Sequence, residues 1–210
     1  MKKAILLDWD GVLCDSLQLY FDLYREACRI HDKVFPISTL EDFRGWYNPR
    51  WEDNYYEMGF SEEEFRSVQK LSESYLQYSK ARLFDGVAEN LRVWSEVRPL
   101  AIVSTTPSPL IRARLAQDNL EQYFQVFTGG EDGCSEKRVK VKSTLDLLGV
   151  TEGVMVGDTP LDIDAGRFNG LQTVGVTYGW VTPERVLAAT PDRVVNQPDE
   201  LQRAVLDLAR

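Results

Sequence analysis

The sequence has few cysteines, no long apolar run and no excess of positive charge. Cys14, Cys28 and Cys134 are odd in number and lack the spacing of metal ligands, which argues against both a disulfide framework and a zinc site. No apolar stretch approaches the length needed to cross a membrane, and the apolar part of "MKKAILLDWD" is too short for the core of a signal peptide. We therefore expect a cytoplasmic protein with reduced cysteines.

The chain has 24 lysines and arginines and 33 aspartates and glutamates, which gives a net charge of -9. This is the wrong sign for a protein whose main task is to bind nucleic acid or an anionic membrane. Low-complexity tracts and repeats are also absent, and 43% of the 210 residues are hydrophobic. These properties predict a globular protein with one sizeable domain, or a core with a smaller inserted domain.

Short apolar runs recur along the chain and predict the strands of a parallel sheet. They cover residues 4–7, 100–103, 153–156, 173–176 and 193–195. Amphipathic helical patterns lie between several of these runs. The alternation predicts an α/β fold with a Rossmann-like parallel sheet flanked by helices, a class in which ligands bind at the carboxyl ends of strands.

From residue 16 to about residue 82 this alternation stops, and we find helical patterns only. One apolar stripe covers residues 17–28, and a second follows Ser61-Glu62-Glu63-Glu64, which is typical of a capping box. We therefore expect a helical cap domain over residues 16–82, inserted into a catalytic core made of residues 1–15 and 83–210. The stretch 40–60, rich in aromatics and arginines, is either packing between helices or part of a lid that contacts substrate.

Polar side chains follow three of the predicted strands. Asp8 and Asp10 follow the first strand, Ser104 and Thr105 end the second, and Asp158 ends the third. If the strands are parallel, these groups meet at one edge of the sheet, where carboxylates could hold a hard cation and a hydroxyl could bind an anion. Taken alone, the sequence "DWDG" is also compatible with a turn whose carboxylates accept backbone hydrogen bonds.

Four motifs occur in a characteristic order: "DWDGV", "IVST", "SEKRVKVK" and "GDTPLD". With a helical insertion directly after the first motif, and the later segment "VGVTYGWVTPERV", the sequence resembles the haloacid dehalogenase superfamily, in particular its phosphoglycolate-phosphatase-like branch with a helical cap. The resemblance spans nearly the whole chain. It implies a Mg2+-dependent phosphatase that hydrolyses a small phosphorylated metabolite, of the phosphoglycolate or sugar-phosphate type, through an aspartyl-phosphate intermediate.

The resemblance also implies roles for individual residues. Asp8 would be the nucleophile, and Asp10 would protonate the leaving oxygen and later take a proton from water. Mg2+ would bind carboxylate oxygens of Asp8 and Asp158 and the backbone carbonyl of Asp10. Ser104 would bind the phosphate, as would Thr105, which stands where many relatives carry asparagine. Dehalogenases of the superfamily lack an acid two residues after the nucleophile, so Asp10 favours phosphoryl transfer.

The phosphate-binding lysine of this family sits at the start of a helix. Lys137 and Lys140 belong to the same basic run, and a solvated basic helix face is the alternative interpretation. Apolar residues lie four, eight and eleven positions after Lys137, the stripe that a core-facing helix needs. We therefore predict Lys137 as the phosphate-binding residue, with Lys140 as the alternative.

Three further residues are candidates for supporting roles. Asp162 matches the second acidic position of the fourth motif and would hold the metal's water ligands or the lysine, although acidic residues are favoured at helix starts in any case. In the predicted cap, Arg44 and Arg50 could bind a substrate carboxylate or a second phosphate. Exposed ion pairs with Glu41 or Glu52 explain these arginines equally well.

Two other functions stay open at this point. A phosphoglucomutase-like enzyme would use the same aspartates but return the phosphoryl group to the sugar. A non-catalytic binding protein on the same fold is the second alternative, and the complete set of Asp8, Asp10, Ser104 and Asp158 argues against it.

Overall fold

A computed structural model describes residues 3–76, 78–132, 134 and 136–209. The strands are β1 (Lys3–Leu7), β2 (Cys14–Asp15), β3 (Arg82–Leu83), β4 (Leu100–Val103), β5 (Phe124–Thr128), β6 (Glu152–Gly157), β7 (Gln172–Val176) and β8 (Arg193–Val195). The helices are α1 (Leu17–Ile30), α2 (Leu40–Trp46), α3 (Trp51–Glu57), α4 (Glu62–Tyr75), α5 (Val87–Val97), α6 (Ser108–Ala116), α7 (Lys137–Leu148), α8 (Pro160–Phe168), α9 (Pro183–Ala188) and α10 (Leu201–Ala209).

Six strands form one parallel sheet in the order β5-β4-β1-β6-β7-β8. The chain winds outward from β1 first through β4 and β5 and then, in the other direction, through β6, β7 and β8. A crevice for ligands forms at such a reversal of strand order. In register, Leu7 of β1 lies opposite Ile102 of β4 and Val156 of β6, so the residues that follow these strands meet at one edge.

The sheet is buried on both faces, which is why its central strands read as uninterrupted apolar runs. Ile5 and Leu7 face one layer of helices, formed by α5, α6 and α10. The alternate residues Ala4 and Leu6 face α7 and α8 on the other side. Helices therefore cover both faces, and the predicted α/β class is confirmed.

The structure contains a sixth sheet strand that the sequence analysis missed. This strand, β5, has the sequence FQVFT and lies at the edge of the sheet, beside β4. Two of its side chains are half-buried and Gln125 is exposed. The exposed Gln125 interrupts the apolar residues of β5, so this strand lacks the continuous apolar run that predicts a buried strand. A short antiparallel pair, β2 with β3, was also missed because each strand has only two residues.

The four helices α1 to α4 lie between β2 and β3 and share an aromatic core of their own. Tyr24 stacks on Tyr55, and Phe43 packs edge-on against Tyr24, with all three side chains buried. The predicted capping box at the start of α4 is present, because Ser61 and Glu64 each bond the other's backbone N–H. Among the described residues, no helix combines the length and apolar character needed to cross a bilayer.

Candidate active site

Asp8 continues directly from β1, and its backbone N–H donates to the Val156 carbonyl at 3.0 Å. The chain then folds back, since the amides of Leu13 and Cys14 both donate to the Trp9 carbonyl. This loop turns the Trp9 ring into the core, where it is fully buried. Asp8 and Asp10 instead line a cavity at the edge of the sheet.

Lys137, the first residue of α7, lies between two carboxylates. Its Nζ is 2.9 Å from Asp8 Oδ1 and 2.9 Å from Asp162 Oδ1. Burial lowers the pKa of Lys137, but the charges of Asp162 and Asp8 more than offset this effect and the net pKa is raised. Lys137 is therefore a fixed cation. Of the two candidate lysines, Lys137 is the one that contacts Asp8. The ammonium group of Lys140 donates to the Gly129 carbonyl.

Three buried carboxylates form a tight cluster around this position. Asp8, Asp158 and Asp162 each offer an oxygen, and these oxygens lie within 4.8 Å of one another. Burial raises the pKa of Asp8 to about 7, opposed by the charge of Lys137, and raises that of Asp158 well above its usual range, helped by the charges of Asp162 and Asp8. One ammonium cannot balance three carboxylates. The cluster therefore fits a divalent cation, which prefers hard oxygen ligands.

Asp158 follows β6 and is held in place by backbone on two sides. Its Oδ2 accepts a hydrogen bond of 2.6 Å from the Trp180 amide. A Cβ atom on Gly179 would lie 2.3 Å from the Asp158 Cβ, and one on Gly11 would lie 2.2 Å from Asp158 Oδ2. Gly11 also has a φ of +76°, which favours glycine. Both glycines are therefore required for the chain to approach this carboxylate so closely.

Asp162 lies in the first turn of α8, where it has two sets of partners. Its Oδ2 accepts hydrogen bonds from the Thr159 amide at 3.1 Å and the Thr159 hydroxyl at 2.7 Å, which caps the helix. Its Oδ1 faces Lys137. The neighbouring acid, Asp164, is about half exposed and pairs with Arg138 at 2.5 Å and 2.7 Å.

Asp10 is surrounded by hydroxyl groups. Its Oδ1 accepts from the Ser16 hydroxyl at 2.5 Å, and its Oδ2 accepts from the Thr106 hydroxyl at 2.6 Å. The Tyr78 hydroxyl lies 3.0 Å and 3.2 Å from the two oxygens. Burial raises the pKa of Asp10, while the bonds from Ser16, Thr106 and Tyr78 lower it, and the net pKa is raised.

Ser104 and Thr105 follow β4 and line the same cavity. The Ser104 side chain is buried, and its Oγ accepts the Thr106 amide at 3.0 Å. Thr105 is exposed at this rim. The structure thus brings Asp8, Asp10, Ser104, Thr105, Lys137, Asp158 and Asp162 to one cavity of about 980 Å³.

The two predicted arginines of the helical segment have different positions. Arg50, at the start of α3, lines the cavity. Arg44 does not belong to its lining: its Nη2 donates to the carbonyls of Thr177 at 2.7 Å and Val181 at 3.2 Å, in the segment after β7. Arg44 therefore joins α2 to the core. The cavity's helical wall also contains Tyr47, Trp51, Glu52, Gln69 and Ser72.

Sequence reasoning did not identify four residues that shape this site: Ser16, Thr106 and Tyr78 around Asp10, and Trp180 beside Asp158. Thr106 stands two positions after Ser104, so an alternating pattern past β4 could have indicated it. Tyr78 lies 68 positions from Asp10, and no local pattern relates the two.

Comparison with known proteins places these observations in a family. A profile of haloacid dehalogenase-like hydrolases matches residues 5–176. The pyrophosphatase PpaX of Listeria innocua is 28% identical over 212 residues, covering 97% of this chain and 96% of that protein. The phosphoglycolate phosphatase of Synechococcus elongatus is 28% identical over 219 residues, covering 99% of each. The solved structure of a predicted phosphatase from Clostridium acetobutylicum superposes with a TM-score of 0.85 at 24% identity, over 99% of this chain and 100% of that one.

The chain belongs to the haloacid dehalogenase-like hydrolase family. The predicted phosphoglycolate-phosphatase-like branch and the predicted class of enzyme, a phosphatase-type hydrolase, are confirmed. The likeness to solved structures confirms the fold, including its parallel sheet with flanking helices.

Proposed function

We propose that the protein is a Mg2+-dependent phosphatase that hydrolyses a small phosphorylated metabolite through an aspartyl-phosphate on Asp8. The observation that carries this proposal is the placement of Lys137 2.9 Å from Asp8 Oδ1, with carboxylate oxygens of Asp158 and Asp162 within 4.8 Å, at the floor of a cavity. A phosphate monoester repels nucleophiles by its own charge, and this arrangement supplies both a nucleophile and groups that offset that charge.

Asp8 acts as the nucleophile in its ionised form. Lys137 favours that form, because its charge opposes the effect of burial on the pKa of Asp8. The attacking Asp8 oxygen forms a bond to phosphorus as the bond from phosphorus to the leaving oxygen breaks. Ser104 and Lys137 bind non-bridging oxygens of the phosphoryl group, which stay on phosphorus as it passes from the leaving oxygen to Asp8, and Thr105 contributes at the rim.

Asp10 acts first as the general acid and then as the general base. In the first step its carboxyl group donates a proton to the leaving alkoxide oxygen, and in the second the resulting carboxylate takes a proton from the water that attacks the aspartyl-phosphate. The raised pKa of Asp10 supports the first task, because the carboxyl group keeps its proton to higher pH than an exposed aspartate does. Its cavity position beside Asp8 supports both tasks.

The residues that would hold Mg2+ are Asp8 and Asp158 through carboxylate oxygens and Asp10 through its backbone carbonyl. When bound, the ion neutralises charge on the phosphoryl group and helps to align it for attack. Asp162 keeps Lys137 in place by the 2.9 Å ion pair and adds negative charge to the cluster.

The substrate is proposed from the relatives and the cavity together. Relatives of nearly equal length are named for phosphoglycolate and pyrophosphate hydrolysis. Arg50 on the helical wall could pair with a carboxylate or a second phosphate of such a compound. We propose residues 16–82 as the cap domain that determines this selectivity, because several of them line the same cavity as Asp8.

The test is phosphate release from a panel of phosphorylated metabolites that includes phosphoglycolate, pyrophosphate and sugar phosphates, with Mg2+ and with a chelator. We expect Mg2+-dependent release by the native chain and none by Asp8→Asn, with unchanged circular dichroism. Isomerisation of a sugar phosphate with little phosphate release would instead identify a mutase. Absence of turnover across the panel would support a binding protein.

A further inference from the structure

The Tyr78 hydroxyl contacts both carboxylate oxygens of Asp10. It lies 3.0 Å from Oδ1 and 3.2 Å from Oδ2. Tyr78 belongs to a short 3-10 turn, Tyr78–Lys80, which follows α4, and its ring is buried in the main hydrophobic core. The ring thus has little freedom to move, and its hydroxyl group is held beside the carboxylate.

The number of available protons determines which partner is the donor in the hydrogen bonds of Tyr78. A tyrosine hydroxyl has one proton to donate. An ionised Asp10 can only accept, and a protonated Asp10 still accepts at the oxygen that does not carry the proton. Tyr78 also lies 2.6 Å from the Tyr20 hydroxyl, and either oxygen could be the donor in that contact. If Tyr78 gives its proton to Asp10, Tyr20 is the donor in their 2.6 Å contact. Both tyrosine hydroxyls also lie 3.2 Å from the Thr106 hydroxyl, so the three hydroxyls form one cluster at Asp10.

The other contacts of Asp10 fix its two ends separately. Ser16 donates to Oδ1 and Thr106 donates to Oδ2. These two bonds hold one oxygen each. Tyr78 lies within hydrogen-bond reach of both oxygens and adds a third contact that resists rotation of the carboxyl plane. General acid catalysis depends on such orientation, because the proton must pass to an oxygen within hydrogen-bond reach.

We propose that Tyr78 is a positioning residue that orients the Asp10 carboxyl group toward the leaving oxygen of the substrate, with Tyr20 orienting Tyr78. This inference rests on the proposed role of Asp10. In the step concerned, the Asp10 O–H bond breaks and the proton goes to the leaving oxygen, while the bond from that oxygen to phosphorus breaks and the Asp8 oxygen bonds to phosphorus.

The substitution Tyr78→Phe removes the hydroxyl and keeps the buried ring. The experiment compares kcat/KM for two probes, glycerol 2-phosphate and p-nitrophenyl phosphate. The alkoxide of the first needs a proton to leave, whereas the nitrophenolate of the second leaves without one. A residue that acts through the general acid affects the alkyl ester selectively, and a residue that only supports the fold affects both esters alike.

We expect Tyr78→Phe to lower kcat/KM roughly ten-fold for the alkyl ester, as for the loss of one hydrogen bond to a charged group, and less than about two-fold for the aryl ester. Tyr20→Phe should show a smaller loss of the same selectivity. The double variant Asp10→Asn/Tyr78→Phe should lose no more than Asp10→Asn alone, because Tyr78 acts through Asp10.

Thr144→Val is the matched control for loss of a buried hydroxyl. Thr144 bonds Thr128 at 2.6 Å and the Lys140 carbonyl at 2.8 Å, away from Asp10, so both rates should stay unchanged. Asp10→Asn is expected to lower kcat/KM selectively for the alkyl ester. Given that result, the inference would be overturned if Tyr78→Phe lowered kcat/KM equally for both esters, or if the losses in the double variant were additive. If Asp10→Asn affects both esters equally, the role of Asp10 is wrong and that of Tyr78 falls with it.

Discussion

The ammonium nitrogen of Lys137 lies 2.9 Å from a carboxylate oxygen of Asp8, although 129 positions separate the two residues in the chain. Asp8 follows the central strand β1, and Lys137 begins α7, which packs on one face of the sheet. This ion pair thus joins the edge of the sheet to the start of one helix. In the proposed mechanism it places the phosphate-binding lysine beside the nucleophile.

The two candidate lysines should respond differently to substitution. Lys137→Met leaves Asp8 and Asp162 without their shared cation, so we expect kcat to fall roughly 10²- to 10³-fold, as when one transition-state donor is lost. Lys140→Met should lower thermal stability, because the side chain is buried and bonds the Gly129 carbonyl, and leave kcat nearly unchanged. Steady-state kinetics with thermal denaturation of both variants is the measurement. A normal rate in Lys137→Met with a large loss in Lys140→Met would reverse the assignment.

The contribution of Asp8 to the stability of the metal-free protein should fall as the pH rises. Burial raises the pKa of Asp8 from 3.8 to about 7, so Asp8 favours the folded state below about pH 4, and this contribution is lost as the pH rises toward 7. In chelator, Asp8→Asn should therefore be more stable than the native chain at pH 8, with a smaller difference at pH 5. Urea denaturation of both proteins at the two pH values measures this. An equal difference at pH 5 and pH 8 would show that Asp8 titrates normally.

A methyl group at Gly179 should weaken metal binding. Its Cβ would lie 2.3 Å from the Asp158 Cβ, so the carboxylate must shift. We expect Gly179→Ala to bind Mg2+ roughly 10- to 100-fold more weakly by calorimetry, as when the support of a ligand is lost. Gly45→Ala is the matched control, because a Cβ there meets no atom within 4 Å, and it should bind Mg2+ normally. Equal affinities in the two variants would contradict the proposed role of Asp158.

The two arginines of the helical segment should separate stability from substrate binding. Arg44→Ala leaves the carbonyls of Thr177 and Val181 without this donor, so we expect a loss of about 1–3 kcal/mol in the free energy of unfolding and little change in KM. Arg50→Ala should raise KM for an anionic metabolite and leave stability nearly unchanged, since Arg50 lines the cavity and is exposed. A raised KM in Arg44→Ala alone would show that the cavity assignment is wrong.

The sequence predicts the sheet and its polar edge because parallel strands bring their carboxyl ends together. Asp8, Ser104 and Asp158 each follow such a strand, so their meeting needs only the strand pattern and the direction of the sheet. The apolar spacing after Lys137 predicts a core-facing helix, and the resemblance to the family places the lysine at its start, where the structure has α7. Strand β5 lacks the apolar signal of the other strands because the exposed Gln125 interrupts its apolar residues.

Contacts between the helical segment and the core could not be predicted in the same way. Arg44 and Arg50 belong to the same aromatic-rich stretch and have the same chemistry, yet one bonds core carbonyls and the other lines the cavity. Tyr78 reaches Asp10 only because the turn after α4 returns to the core. Such contacts depend on how helices pack, which hydrophobic periodicity does not specify.

The most direct test of the account is the identification of the phosphorylated residue. In Asp10→Asn, hydrolysis of the intermediate should be slow because the base that activates water is missing, while the aryl ester p-nitrophenyl phosphate still transfers its phosphoryl group. Acid quenching of this variant with Mg2+ and the aryl ester, followed by peptide mass spectrometry, should locate one phosphoryl group on Asp8. Phosphorylation of another residue, or steady turnover by Asp8→Asn, would contradict the proposed mechanism.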